Sequence, residues 1–215
     1  MKPMQTMKAG GLSRRRLLSL GASLPLAGLA LPAHAGGQIE EPLADSVRTA
    51  LSAAVAMDGA PPKPVFADLE HRLHYLEWLG AMSERLKAAV LAAQQRVEFL
   101  ETAWYESKRA GLEPALVLGL IQVESAFRKY AISAVGARGY MQVMPFWSRQ
   151  IGDGDTLKLF NTQINLRFGC VILRHYLDQE GGDLFMALGR YNGSRGRAEY
   201  PNAVLSRRRN WQFTA

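Results

Sequence analysis

A single cysteine, Cys170, stands in a chain of 215 residues. It excludes an intrachain disulfide and a cysteine-based zinc site. Its neighbours Phe168, Val171 and Ile172 mark it as a small buried hydrophobe rather than a reactive thiol. His71 and His74 lie three apart, but no third ligand accompanies them, so no metal is expected. Apolar runs are short. The longest, Leu17 to Leu31, is diluted by Gly21, Ser23, Pro25 and Gly28 and falls short of the about 20 apolar residues that a membrane span needs. Alternating apolar and polar stretches, internal repeats and heptads are also missing. That removes strand-built, repeat and coiled-coil architectures and leaves an all-α chain.

What is present is unevenly charged. The formal net charge is +7. Residues 1–35 hold five basic residues and no acid, residues 36–123 eight basic and twelve acidic, and residues 124–215 thirteen and seven. The basic C-terminal half suits an anionic partner, whether cell wall, nucleic acid or membrane surface. No DNA- or RNA-binding motif accompanies it, which speaks against nucleic acid.

The N-terminus reads as an address. Basic residues precede the apolar run, and Ala33-His34-Ala35 forms a small-x-small cleavage site before Gly36. Ser13-Arg14-Arg15-Arg16-Leu17-Leu18 resembles the twin-arginine export signal. Residues 1–35 are therefore expected to be a signal peptide removed near Ala35, and the mature protein to be periplasmic.

Residues 36–65 are rich in Ala, Gly and Pro and read as a linker with a short helix around Ala44–Met57. Leu69, Leu73, Leu76, Leu86 and Val90 recur at helical spacing within Phe66–Ala93. This predicts an amphipathic segment over 66–95, with a face for a cell-envelope partner. From 96 to 215 helices follow closely. Val97–Ala110 is stopped by Gly111. Pro114 opens Ala115–Ser125, whose apolar positions fill most of its circumference. Asn161 caps a helix ending at Gly181-Gly182, and Asp183 caps another reaching Arg190.

Glu124 ends the buried run Leu116-Val117-Leu118-Gly119-Leu120-Ile121-Gln122-Val123. Desolvation there disfavours the carboxylate and raises its pKa. A protonated carboxyl near neutral pH is what glycosidic cleavage requires, because the leaving oxygen must receive a proton. By itself such a Glu is also compatible with a helix end paired to solvent or Arg128.

The flanking motifs add specificity. Glu124-Ser125-Ala126-Phe127 precedes Ser133-Ala134-Val135-Gly136-Ala137-Arg138-Gly139-Tyr140-Met141-Gln142-Val143-Met144-Pro145, and Arg190-Tyr191-Asn192-Gly193 follows. In these three segments, across about Trp104 to Trp211, the sequence resembles the soluble, lysozyme-like type of lytic transglycosylase. The resemblance implies a lysozyme-like transglycosylase domain over 96–215, preceded by a helical N-terminal segment. It implies Glu124 as the catalytic acid, with Ser125 and Ser133 near it. Gln142 and Met144 would line the sugar groove, Tyr191 would hydrogen-bond and position the acid, and Asn192 would lie on the acetamido side. The glycines, Met144 and the Tyr-Asn-Gly turn also have plain readings as turn, core and helix cap. Tyr140 stands where most family members carry Leu, and Glu199 before Tyr200-Pro201 is a weak counterpart of an acidic residue near a late Tyr-Val turn.

The resemblance further implies cleavage between N-acetylmuramic acid and N-acetylglucosamine in peptidoglycan, without water, leaving a 1,6-anhydro ring and needing no cofactor. A lysozyme-type hydrolase using Asp153 or Asp155 as base, and a non-catalytic wall-binding protein, are the alternatives.

Overall fold

A computed structural model describes residues 37–56, 61–90 and 92–214. The signal-peptide reading of residues 1–35 lies outside the described residues. The described chain forms eight α-helices and one 3-10 turn, and no strand among these residues. The helices are α1 Asp45–Val55, α2 Leu69–Leu86, α3 Ala93–Arg109, α4 Pro114–Ser125, α5 Pro145–Ile151, α6 Thr162–Gln179, α7 Leu184–Asn192 and α8 Glu199–Arg209, with the 3-10 turn at Thr156–Phe160 between α5 and α6.

Local chemistry sets most boundaries. The Asp68 carboxylate accepts the His71 N–H at 2.9 Å to start α2. Asn161 accepts the Ile164 N–H at 3.1 Å to start α6, and Asp183 accepts the Met186 N–H at 3.0 Å to start α7. Gly193 closes α7 at φ 75°. The amphipathic stretch expected over Phe66–Ala93 is helical only to Leu86. There the Leu86 carbonyl accepts N–H groups from Ala89 and Val90 and turns the chain toward α3. Within 36–65, α1 buries Leu51 and Val55 and packs against α5 and α6.

Helix α4 is the central element. Pro114 occupies its first turn, where a missing N–H costs nothing. It is buried around nearly its whole girth, and its most extensive neighbour is α8. Gly119 permits that approach: a Cβ there would stand 2.6 Å from the Arg208 nitrogen. Trp211 Nε1, just beyond α8, donates to Gln122 Oε1 at 2.9 Å and ties the C-terminus to the same helix. Two residues in the left-handed region, Ala126 at φ 49° and Phe127 at φ 61°, end α4 abruptly. Each non-glycine residue there costs of order 1–2 kcal/mol, which the Phe127 ring offsets by packing on Phe99 and Trp211.

The segment from Ala131 to Met144 carries only isolated bridges, Ile132 to Arg138 and Arg138 to Val143. Side chains hold it instead. Asn165 Oδ1 accepts the Met141 N–H at 2.8 Å, and Asn165 Nδ2 donates to the Arg138 and Leu159 carbonyls at 2.8 Å each. Elsewhere, Cys170 is fully buried, and burial pushes its thiol far up. His71 Nδ1 pairs with Asp68 Oδ1 at 2.8 Å, and the His74 ring lies against Phe213.

Candidate active site

Glu124 lies one residue from the C-terminal end of α4, and only 4% of it is exposed. Burial raises its pKa from 4.5 to about 8, partly opposed by a hydrogen bond from Tyr200. The shift has the desolvation origin expected from the apolar run. Tyr200, in the first turn of α8, donates its hydroxyl to Glu124 Oε1. Glu124 Oε2 is buried and has no hydrogen-bond partner among the described residues. The acid thus has one oxygen oriented by a neutral phenol and the other left unengaged. No guanidinium or ammonium forms an ion pair with it among the described residues.

The positioning tyrosine is therefore not the one expected. Tyr191, on α7, is completely buried, and its hydroxyl donates to the Met141 carbonyl at 2.8 Å. It fastens the Ala131–Met144 loop to α7 rather than holding the acid. Burial raises the pKa of its phenol well above the usual value, with proximity to Glu124 adding to the rise, and the same holds for Tyr200. The reason for the exchange is tertiary. Gly119 lets α8 close on α4, and that closure delivers Tyr200 to the carboxyl.

The other residues expected at the site have the following partners. Ser125 is buried, and its hydroxyl donates to the Ile121 carbonyl at 3.2 Å, back along its own helix. Ser133 is half-buried, and its hydroxyl accepts the Ala137 N–H at 3.1 Å, closing a turn. Gln142 is 1% exposed and adopts φ 50°. Its Nε2 donates to the Gly139 carbonyl at 2.8 Å and the Ala131 carbonyl at 3.1 Å, so its donor capacity is used inside the loop. Met144 is half-buried beside the core and precedes α5. Asn192 Nδ2 donates to Ser194 Oγ at 3.0 Å, while its Oδ1 is buried without a hydrogen-bond partner among the described residues.

Three departures from the sequence reading stand out. Tyr140 turns inward, 8% exposed, with its ring centroid 4.7 Å from that of Phe99. Glu199 is exposed at the start of α8 and does not reach the acid, whereas its neighbour Tyr200 does. Asp153 and Asp155, the candidate water-activating bases, have structural partners. Asp153 is paired with Lys158, which holds its carboxyl below the usual range, and Asp155 caps the 3-10 turn through the Leu157 N–H at 2.9 Å. No group of three or more His, Cys, Asp and Glu side chains is placed to hold a metal ion among the described residues.

The arrangement can donate a proton from a neutral carboxyl near neutral pH and take it back as a carboxylate. The apolar helix and two phenols surround the group, so the charged form is the disfavoured one.

Known proteins bear on the same stretch. The family model described as "Transglycosylase SLT domain" matches residues 101–211. A transglycosylase of Enterobacteria phage PRD1 is 33% identical over 116 residues, covering 51% of this chain and 42% of the phage protein. Membrane-bound lytic murein transglycosylase C of Actinobacillus pleuropneumoniae serotype 5b is 40% identical over 81 residues, 34% of this chain and 22% of that protein. Among solved structures, an inactive mutant of the lytic transglycosylase Slt from Pseudomonas aeruginosa aligns with a TM-score of 0.42 and 25% identity, over 66% of this chain and 27% of the other. The chain spans less than half the length of each of these relatives.

Proposed function

Because this chain belongs to the transglycosylase SLT domain family, we propose that it is a lytic murein transglycosylase acting on peptidoglycan glycan strands, with Glu124 as its acid. The observation that carries this reading is the buried carboxyl held at a pKa of about 8 against a phenol, with one oxygen unengaged. Glu124 protonates the oxygen between N-acetylmuramic acid and N-acetylglucosamine. The muramic acetamido oxygen stabilises the developing cation at C1, which replaces a second protein carboxylate. The ionised Glu124 then removes the proton from the muramic C6 hydroxyl. That oxygen bonds to C1, closes a 1,6-anhydro ring and returns the acid to its protonated state.

Tyr200 orients the acid and Tyr191 fixes the loop that carries Gln142 and Met144. Asn192 Oδ1 accepts from the acetamido N–H in this reading, and Met144 provides an apolar wall. The structural engagement of Asp153 and Asp155 supports the water-free route over hydrolysis. Residues 1–35 act as an export signal, cleaved near Ala35, so that the enzyme works in the periplasm. Leu69, Leu73 and Leu76 form an exposed stripe on α2 for an envelope-protein partner; charged substitutions there would abolish co-purification with that partner without changing turnover.

Replacing Glu124 with Gln is expected to abolish release of soluble fragments from sacculi while the protein stays folded. Mass spectrometry of the wild-type products is expected to find muropeptides one water lighter than hydrolytic ones. A Glu124→Gln protein that clears sacculi at a comparable rate would exclude Glu124 as the acid. Products of hydrolytic mass would exclude the anhydro route.

A further inference from the structure

The segment just before α1 lies on the same elements as the site. Gln38 is 5% exposed although it belongs to an irregular stretch near the start of the described chain. Its Oε1 accepts the Trp147 Nε1–H at 2.9 Å, and its side chain also interacts with the Tyr191 phenol. The backbone is pressed just as closely. A Cβ on Gly37 would stand 2.7 Å from the Asn192 carbonyl oxygen, and one on Gly193 would stand 1.8 Å from the Gly37 oxygen. Residues 37–38 therefore sit directly on the Tyr191-Asn192-Gly193 turn.

Resting on the reading of the site given above, we propose that residues 37–41 are a self-occluding strap. In it the Gln38 primary amide takes the place of a glycan acetamido group, and the strap must leave before substrate enters. The chemistry of the contact supports this. An acetamido group offers one carbonyl acceptor and one N–H donor, as the Gln38 side chain offers an acceptor and donors. The acceptor is matched by Trp147, and the same side chain meets the Tyr191 phenol. Asn192 Oδ1 and Glu124 Oε2 are buried without a hydrogen-bond partner among the described residues. A permanent wall leaves few such atoms unsatisfied. A sugar carrying both N-acetyl and hydroxyl groups can satisfy the two that belong to the site.

The strap is also weakly moored. Its remaining polar ties are at the surface: Arg190 Nη1 to Glu41 at 3.1 and 3.2 Å, with Glu41 46% exposed, and Gln150 Nε2 to Glu40 Oε1 at 3.2 Å and to the Glu41 carbonyl at 3.4 Å. Exposed pairs of this kind contribute little to stability. Occupancy of the site by the strap lowers the apparent sugar affinity by the fraction of molecules left open.

The test uses the full chain with Gln38→Ala and Glu41→Ala together, and the N-acetylglucosamine tetramer as probe. Binding is followed by calorimetry and by Trp fluorescence, since Trp147 changes partner when the strap leaves. The double variant is expected to bind the tetramer about three- to tenfold more tightly than the parent, while its melting temperature falls by a few degrees at most because Trp147 loses its acceptor. Its KM on sacculi should fall while kcat stays constant. In the parent, the tetramer should speed cleavage after Glu40 and Glu41 by a glutamyl endopeptidase. Unchanged or weaker binding by the folded variant, protection of Glu40 and Glu41 by the tetramer, or no binding by either protein would each overturn the strap. Because binding is read without turnover, parent protein that binds the tetramer but never cleaves sacculi would count against Glu124 and leave the strap standing.

Discussion

Two glutamates are buried among the described residues, and their surroundings differ in one respect. Glu106, on α3, is 1% exposed and meets cations. Arg167 donates to its Oε1 through Nε at 3.1 Å and Nη2 at 2.9 Å, and Arg109 approaches Oε2 at 3.4 Å. Glu124, on α4, is 4% exposed and meets a neutral phenol. The first carboxylate has its charge balanced and joins α3 to α6. The second is held as a neutral acid by desolvation, with a pKa of about 8. Burial alone does not make a catalytic group. Burial without a countercharge keeps the carboxyl protonated near neutral pH, the state that general acid catalysis needs.

Several substitutions sharpen or break this contrast. The largest effect belongs to Glu124→Gln, which should lower the rate of sacculus cleavage by at least about a thousandfold, within the range general acid catalysis supplies. The same substitution should stabilise the fold at neutral pH. An unfolded Glu loses its proton above about 4.5, whereas folded Glu124 keeps it until about 8. The stability this residue contributes is complete below 4.5 and declines as pH rises through that window. At pH 7 the difference amounts to about 3 kcal/mol, and denaturant melts of wild type and variant at pH 4 and pH 7 would read it. A variant no more stable than wild type at pH 7 would contradict the raised pKa.

Next in size is Arg167→Ala, which leaves the buried Glu106 carboxylate with only the longer Arg109 contact and should cost about 3 kcal/mol in urea unfolding. Protein that remains folded at low temperature should retain the alkaline limb of its pH–rate profile, because the damage lies away from Glu124. Gln142→Ala is expected to be smaller. It leaves the Gly139 and Ala131 carbonyls without their side-chain donor and should cost about 1–3 kcal/mol.

The finest comparison is pH dependence. Activity needs the protonated acid, so kcat/KM on sacculi should fall as pH rises through about 8. Tyr200→Phe removes the hydrogen bond that lowers this pKa, so the alkaline limb should move to higher pH while the rate drops about tenfold. Tyr191→Phe should leave the limb nearly in place, because that hydroxyl holds Met141 rather than the acid. Equal shifts in both phenylalanine variants would erase the distinction between the two tyrosines.

Much of the fold was legible along the chain. Pro114, Asn161, Asp183 and Gly193 punctuate helices through bonds made within a few residues, and the observed boundaries follow them. The short helix α5 and the terminal helix α8 carried weaker signals. The first spans seven residues, and the second carries Pro201 and three consecutive arginines. Gln142 and Tyr191 were legible as important but not in what they touch. Their polar atoms reach carbonyls of the Ala131–Met144 loop, one locally and one from 50 residues away. Asn165, which holds that loop through three hydrogen bonds, looks like an ordinary helical residue in the sequence.

The sequence by itself determined that the chain is helical and that Glu124 ends an apolar helix, because periodicity and capping act over a few residues. It also determined the acid's protonation tendency, since the run from Leu116 to Val123 desolvates its own terminus. Only the tertiary structure decided which phenol meets the acid, because Gly119 and Arg208 must close together before Tyr200 arrives. It also decided that Gln38 lies against Trp147 and the Asn192 turn, a contact across 109 residues that no local pattern encodes. Partners distant along the chain are chosen by shape and unsatisfied polarity in three dimensions, and those choices appear only when the helices pack.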